Sequence, residues 1–311
     1  MLSGCIVRNG KSKNSADELI NPDVIQQITK TPFQPVIVSI TPTKIPDPIF
    51  LTGAGDISVC DYETDDATAA LLENIPDLIF TLGDTQYNGS SYEKYMNCFD
   101  KSWGAYKDRM IPVVGNHEYE DENAAGFYDY FANEMDPDRL GYYSMDIGAW
   151  HVIVLNSQCG AVGGCDEKSP QVQWLVNDLE NDSHLCTLAL WHHPRFSTGY
   201  HESDATLDTI WRTMVAYDVE LVLNGHDHNY ERFAPMDGDG NIDLSDGTRM
   251  IIVGTGGADL RPQYLENLAS VVYNNSTHGV LQLKLEYGTY SWEFIPVEGS
   301  TFSDSGWGYC K

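Results

Sequence analysis

Residues 78–90 read "LIFTLGDTQYNGS", an apolar run that ends in Gly83-Asp84 and is followed by Tyr87. The length and branched side chains of this run are typical of a buried strand. Six further runs of this kind occur between residues 49 and 257, with amphipathic stretches between them. Strands that alternate with helices predict an α/β fold, built on one mixed sheet or on two packed sheets.

The segments between and after these runs predict the remaining elements. Helical periodicity favours helices at 65–75, about 91–109, 170–182 and 204–217. Strict alternation around a glycine in "GVLQLKLEYG" and "TYSWEFIPV", residues 279–297, predicts a β-hairpin. The polar, proline-containing residues 1–46 read as an N-terminal tether, residues 47–298 as the main domain and residues 299–311 as a C-terminal tail.

The charge of the chain is strongly negative. It has 18 Lys and Arg against 46 Asp and Glu, a net charge of −28. Such a surface repels polyanions, so nucleic-acid binding along a groove is not expected. The acidic surface fits either a general need for solubility or a salty habitat. No apolar run approaches the roughly 20 residues that a membrane-spanning helix needs.

Cysteines point to an exported protein. Leu2-Ser3-Gly4-Cys5 resembles a bacterial lipobox, which predicts a lipid anchor at Cys5, although four letters can also match by chance. The other six cysteines would then form three disulfides, as an oxidising compartment permits. The expected pairs are Cys159–Cys165 across a glycine-rich loop, Cys60–Cys98 and Cys186–Cys310. The expected location is the periplasm, the cell surface as a lipoprotein, or the extracellular medium.

Five of the predicted strands end in polar residues that can bind a metal ion. They are Asp56, Asp84 with Tyr87, Asn116 with His117, His192 with His193, and His226 with His228. Glycines directly before four of these groups permit sharp turns that would aim the side chains into one place. Each group alone is typical of a turn or a packed histidine. Together they form a mixed oxygen and nitrogen set that suits iron, manganese or zinc.

These residues also resemble a known family. Asp56, "GDTQY" (83–87), "GNHE" (115–118), His192 and "GHDH" (225–228) are similar, in this order, to the five motifs of the purple acid phosphatases within the calcineurin-like metallophosphoesterases. The resemblance covers roughly residues 49–298, and "WHHPRF" and "GHDHNYERF" look like bacterial members with a single catalytic domain. It implies a four-layer α/β sandwich of two mixed sheets flanked by helices, with residues 47–298 as the catalytic domain.

The resemblance implies two metal ions and a role for each ligand. Asp56, Tyr87 and His228 would hold Fe(III); Asn116, His192 and His226 would hold a divalent Fe, Zn or Mn; Asp84 would bridge both. A phenolate is a hard, anionic donor that suits the trivalent ion. Members of the wider superfamily with a histidine in place of the tyrosine use other metals. Tyr87 therefore narrows the resemblance to the purple acid phosphatases.

The implied reaction is hydrolysis of a small phosphate monoester by attack of a metal-bound hydroxide on phosphorus. His117 would contact the phosphate, and His201 is the first candidate for the proton donor to the leaving group. His193 is a second candidate, or only a partner of the neighbouring ligand. The alternatives are a phosphodiesterase that acts on nucleotides or lipid headgroups with the same metals, and a non-catalytic metal-binding scaffold. The complete ligand set argues against the scaffold.

The remaining histidines and one acidic loop receive no catalytic role. His151 lies within an apolar strand and is expected in the core, His184 in a polar loop, and His278 at the start of the last hairpin. Residues 237–247, "DGDGNIDLSDG", read as an acidic hairpin loop. A weak calcium site there is the minor alternative, because the glycine and glutamate of a calcium loop are missing.

Overall fold

Two β-sheets form the centre of the structure, a computed structural model that describes residues 46–133 and 135–311. The strands are β1 (Ile49–Ala54), β2 (Leu78–Thr81), β3 (Met110–Ile111), β4 (Tyr143–Ile147), β5 (Trp150–Val154), β6 (Cys186–Leu190), β7 (Leu221–Asn224), β8 (Tyr230–Phe233), β9 (Arg249–Val253), β10 (Ser270–Asn274), β11 (Gly279–Glu286), β12 (Thr289–Pro296) and β13 (Ser305–Tyr309). The helices are α1 (Thr64–Leu72), α2 (Tyr92–Asn97), α3 (Ala125–Phe131), α4 (Pro170–Asn181) and α5 (Asp208–Ala216).

Both sheets are mixed. The first has the order β13-β12-β11-β1-β2-β3, and the second has the order β10-β8-β9-β7-β6-β5-β4. Strands β1, β2 and β3 run parallel, as do β5, β6, β7 and β9, whereas β11 pairs with β1 and β12 in antiparallel fashion. The prediction of two mixed sheets with flanking helices is therefore confirmed, as is the hairpin of β11 and β12.

The apolar side chains divide between the layers according to strand alternation. In β6, Leu188 and Leu190 belong to the core that also contains Leu51 of β1, so they face the opposite sheet. Ala189, between them, belongs to a second core with Trp211 of α5. Successive side chains of a strand point to opposite faces, so a continuous apolar run is needed where both faces are covered.

One predicted helix differs from the structure. Residues 91–109 do not form a single helix, because α2 ends at Asn97 and two 3₁₀ segments follow, Phe99–Lys101 and Trp103–Arg109. The break falls at Cys98, whose φ of −124° and ψ of −83° are not helical and whose side chain is bonded to Cys60. The other three predicted helices correspond to α1, α4 and α5, each with shorter bounds.

The three predicted disulfides are present. They are Cys60–Cys98, Cys159–Cys165 and Cys186–Cys310. The last of these joins the first residue of β6 to the end of the chain. The segment expected as a tail, residues 299–311, contributes β13, which pairs with β12 at the edge of the first sheet.

The predicted lipid anchor at Cys5 and all but the last residue of the predicted tether lie outside the described residues. Within residues 46–133 and 135–311, no helix combines the length and the apolar composition that crossing a bilayer requires.

Candidate metal centre

The ends of strands from both sheets meet at one edge of the molecule. Asp56 follows β1, Asp84 follows β2, His192 follows β6 and His226 follows β7, each within three residues of the end of the strand. Backbone hydrogen bonds tie these segments together, as from Gly225 N–H to the carbonyl of His192 at 3.0 Å. Ligand sites in open α/β folds lie beyond the carboxyl ends of strands, and this edge has that position.

Three of the predicted ligands form one half of the site. The Tyr87 hydroxyl donates to Asp56 Oδ1 at 2.8 Å and lies 3.0 Å from His228 Nε2. His228 Nε2 lies 3.5 Å from the same carboxylate oxygen. These donors are close enough to surround a single ion, and all three side chains are buried.

The other three form the second half. His192 Nε2 lies 3.1 Å from Asn116 Oδ1 and 3.3 Å from His226 Nδ1. Asn116 Oδ1 and His226 Nδ1 therefore both lie near His192 Nε2. Three of the six residues therefore lie around the Tyr87 hydroxyl and three around His192 Nε2, and His192 is also grouped with Asp56 and Asp84.

Asp84 lies between the two halves. Its Oδ2 atom is 3.3 Å from the Tyr87 hydroxyl and 3.2 Å from His192 Nε2. Its Oδ1 atom accepts the backbone N–H of His117 at 2.9 Å, which fixes the orientation of the carboxylate. Asp84 Oδ2 therefore lies within 3.3 Å of a donor atom of each group.

In each of two imidazoles, a hydrogen bond to one ring nitrogen leaves the other nitrogen available to a metal ion. His192 Nδ1 donates to the carbonyl of Leu82 at 2.7 Å, and His228 Nδ1 donates to the carbonyl of Asp259 at 2.8 Å. With the proton on Nδ1, the lone pair of Nε2 points into the site. Metal-binding histidines typically have such a partner on the second nitrogen.

Backbone strain falls on the ligands rather than on most of the glycines before them. Asp56, Asp84 and His226 have φ values of 59°, 49° and 70°, and Gly83 has 81°. Left-handed conformations of non-glycine residues cost on the order of 1–3 kcal/mol and are typical of functional sites. Gly225 is required for another reason, because a Cβ there would lie 2.7 Å from Asp56 Oδ2.

Glu118 holds the loops that carry the predicted ligands through hydrogen bonds to their backbone, a role that the sequence analysis did not assign. The side chain is fully buried and accepts the backbone N–H groups of Gly115 at 2.6 Å, Thr85 at 2.7 Å and Asp84 at 3.0 Å. It thereby ties the loop after β2 to the loop after β3. Its place in "GNHE", two residues after Asn116, was the available signal.

The electrostatics of the two buried carboxylates fit a cation. Burial raises the pKa of Asp56 to about 8; His192 opposes this shift and Asp84 adds to it. Burial acts against the charge of Asp84 too, but His192 and His117 outweigh it and lower the pKa of this carboxyl. Two carboxylates this close repel each other, and metal ions between them would compensate both charges. The residues present therefore fit a dimetal centre.

Three more histidines surround the predicted ligands. The His117 ring lies 4.4 Å from that of Tyr87, and its Nε2 is 3.8 Å from Asp84 Oδ2. The His193 and His201 rings lie 4.1 and 4.4 Å from that of His226. His117 and His193 are half-buried and His201 is exposed. All three predicted catalytic residues are thus at least partly accessible to solvent.

His193 and His201 are held in different ways. His193 Nδ1 lies 2.8 Å from the hydroxyl of Ser157, and burial lowers the pKa of His193 to about 3. The backbone N–H of His201 donates at 2.8 Å to Asp227, a buried carboxylate to which the sequence analysis gave no role. Although His201 as a whole residue is exposed, partial desolvation of its imidazole lowers its pKa, with Asp227 opposing the shift and Arg261 adding to it.

The residues without a catalytic role lie elsewhere. His151 is buried in β5, as expected, and His184 follows α4 in a loop. His278 precedes β11 and donates through Nε2 to the carbonyl of Ala258 at 3.0 Å. In the acidic loop 237–247, Asp237 accepts the backbone N–H groups of Asp239 and Asn241.

A sandwich of this kind, with donors for two ions at its strand ends, is typical of a dimetal phosphoesterase. Residues 51–230, more than half of the chain, match the calcineurin-like phosphoesterase family. The chain belongs to this family.

Its relatives include plant purple acid phosphatases. The chain is 29% identical to purple acid phosphatase 15 of Arabidopsis thaliana, in an alignment that covers 57% of this chain and 40% of that protein. It is 26% identical to the phosphoenolpyruvate phosphatase of Allium cepa, in an alignment that covers 66% of this chain and 51% of that protein. The chain thus spans about half, or less, of the length of these curated relatives.

Two solved structures show the same fold. A purple acid phosphatase from yellow lupin seeds superposes with a TM-score of 0.68 at 16% identity, over 84% of this chain and 53% of that one. GAP50, the anchor in the inner membrane complex of Plasmodium, superposes with a TM-score of 0.64 at 14% identity, over 85% of this chain and 89% of that one. At this identity the similarity concerns the fold alone.

Replacing Asp84 by asparagine tests the bridging position. Asp84→Asn keeps the shape of the side chain and removes its charge, so both halves should lose metal, and activity should fall by more than the roughly 10–100-fold that is typical of residues behind the ligands. Metal per chain is measured by mass spectrometry beside phosphatase activity. Asp65→Asn, which alters a buried carboxylate bonded to Ser102, is the control and should keep its metal. Normal metal content and turnover in Asp84→Asn would contradict the assignment.

Proposed function

We propose that this chain hydrolyses phosphate monoesters at a centre of two metal ions. The observation that carries the proposal is the pair of donor groups around Asp84. Its Oδ2 atom lies within 3.3 Å of a donor atom in each half. The substrate we propose is a small phosphate ester, since the net charge of −28 disfavours polyanions.

We propose Fe(III) in the half with Tyr87 and a divalent Fe, Zn or Mn in the other half. Asp56 and Tyr87 supply hard, anionic oxygen donors to the first ion. Asn116, His192 and His226 supply neutral donors to the second, which suits a lower charge. When bound, the ions would polarise the ester phosphate and activate water.

The side chains around the ligands divide the remaining tasks. His117 is placed to contact the substrate phosphate, since its ring lies 4.4 Å from that of Tyr87 and Glu120, 2.6 Å from its Nδ1, orients it. His201 is exposed, lies beside His226 and can give a proton to the departing alcohol. His193 is bonded to Ser157 and is the second candidate for that proton.

We also propose that the protein is exported. Three disulfides within one chain favour an oxidising compartment. A lipid anchor at Cys5 remains a prediction from the sequence.

Metal content and a pair of substrates test the proposed activity. The isolated protein should hold two ions per chain, and kcat/KM for an aryl phosphate monoester should exceed that for the bis-aryl diester by at least about tenfold, or 1.4 kcal/mol in the barrier. Faster turnover of the diester would identify a phosphodiesterase. No turnover of either substrate by the fully loaded protein would identify a scaffold.

Leaving-group dependence tests the role of His201. His201→Ala should slow alkyl phosphates, whose leaving groups need a proton, by about 10²–10⁴-fold, and aryl phosphates far less. His193→Ala removes another imidazole beside His226 and is the matched control; it should slow both substrate classes to a similar extent. If His201→Ala also slowed both classes equally, His201 would not be the acid.

A further inference from the structure

A second cluster of metal-binding side chains lies away from the centre described above. It consists of Asp146 of β4, His151 of β5, and Asp182 and His184, which follow α4. We call these four residues the distal cluster. His151 is near the start of β5, whereas Ser157, which contacts His193, follows the end of that strand. The two clusters therefore occupy opposite ends of β5.

The donor atoms of the distal cluster are spaced for a single ion. His151 Nδ1 lies 2.8 Å from Asp146 Oδ1 and 4.0 Å from Asp182 Oδ1. His184 Nδ1 lies 3.7 and 2.6 Å from the same two oxygens. One donor atom from each residue can be chosen so that all four are within 4.8 Å of one another. The edge of a tetrahedron with bonds of about 2.0–2.1 Å is roughly 3.3 Å, and the four distances lie on both sides of that value.

A fifth side chain orients one of the imidazoles. His151 Nε2 lies 2.8 Å from Asp178 Oδ2, and Asp178 Oδ1 accepts the hydroxyl of Ser144 at 2.8 Å. With a proton on Nε2 held by Asp178, the lone pair of Nδ1 points towards Asp146 and the other donors. A carboxylate behind a ligand histidine is a recurrent feature of zinc sites.

Burial and charge favour a cation at the distal cluster. The His151 and Asp182 side chains are 7% and 9% exposed, whereas those of His184 and Asp146 are 25% and 61% exposed, so two of the four ligands are buried and the cluster opens to the surface. Burial opposes a charge on His151, but hydrogen bonds to Asp178 and Asp146 outweigh it and raise the pKa of His151 to about 9. A cleft of about 850 Å³, lined in part by Asp146, His151 and Asp178, provides access for an ion.

We propose that the distal cluster is a third metal site, for a divalent ion of the zinc type in tetrahedral coordination. The ligands are the Nδ1 atoms of His151 and His184 and one carboxylate oxygen each of Asp146 and Asp182. Imidazole and carboxylate donors of this kind suit Zn(II). The site shares no residue with the proposed catalytic centre. The proposal of a zinc site can therefore be tested independently of the proposed function.

The metal competes with protons for the same atoms. Without an ion, protons shared between His151 and Asp146 and between His184 and Asp182 satisfy the four groups as two hydrogen-bonded pairs. Zn(II) would take the place of these shared protons, which pass to the solvent. The question for experiment is therefore whether the cluster binds a metal or only pairs histidine with aspartate.

Zinc counting on the full chain decides between these two. The protein is equilibrated with Zn(II) alone, exchanged into metal-free buffer and assayed for zinc per chain. The unmodified chain should hold one zinc ion more than His184→Ala or Asp146→Asn, and activity towards a phosphate ester should be the same in all three. Asp129→Asn, which changes an exposed carboxylate paired with Arg139, is the control and should keep the full count.

Unchanged activity shows that the variants fold, and two further measurements test the coordination itself. Asp178→Asn keeps all four ligands and should weaken zinc affinity about 10–100-fold. Co(II) in the unmodified chain should give the intense visible bands of tetrahedral coordination, and His184→Ala should lose these bands. Equal zinc counts in the unmodified chain, His184→Ala and Asp146→Asn would overturn the proposal. Cobalt spectra that do not change in His184→Ala would overturn it as well.

Discussion

The structure depends on one carboxylate, Asp84, placed between two groups of donors. One oxygen lies near Tyr87 and His192, and the other is held by the backbone of His117. A buried carboxylate beside a second one, Asp56, is costly unless cations compensate both charges. The strained conformations of the ligands and the buried Glu118 behind them follow from the need to hold these groups together.

The fold alone does not determine what the protein does, and the side chains at the strand ends carry the functional argument. A phosphatase from yellow lupin and an anchor protein from Plasmodium share the fold of this chain at 16% and 14% identity. In this chain, each half of the centre has a full set of donors around Asp84, and three histidines stand beside them.

Much of the fold and of the metal centre could be predicted from the sequence, because the carboxyl ends of parallel strands meet at one edge of a sheet. The alternation of elements predicted an α/β fold, and the family resemblance implied the two mixed sheets. Spacing predicted the Cys159–Cys165 disulfide, the positions of Cys60 and Cys98 after ligand loops suggested the second pair, and Cys186 and Cys310 remained for the third. Contacts that no motif or cysteine marks in the sequence could not be predicted in this way. Glu118 accepts amides from two loops, and His151 meets Asp178 and Asp182 only after the chain has folded. The sequence shows the residue types but not these neighbours.

The visible spectrum of the iron-loaded protein tests the central assignment most directly, since Tyr87 joins Asp84 to the proposed ferric half. A phenolate bound to Fe(III) gives a charge-transfer band, and Tyr87→Phe removes the donor oxygen while it keeps the ring. At equal iron content, the unmodified chain should be coloured and Tyr87→Phe colourless. Tyr143→Phe, which alters a buried tyrosine bonded to the carbonyl of Pro112, should keep the band. The account would be contradicted if the protein held one Fe(III) per chain and showed no visible band. A band that survives in Tyr87→Phe would contradict it as well.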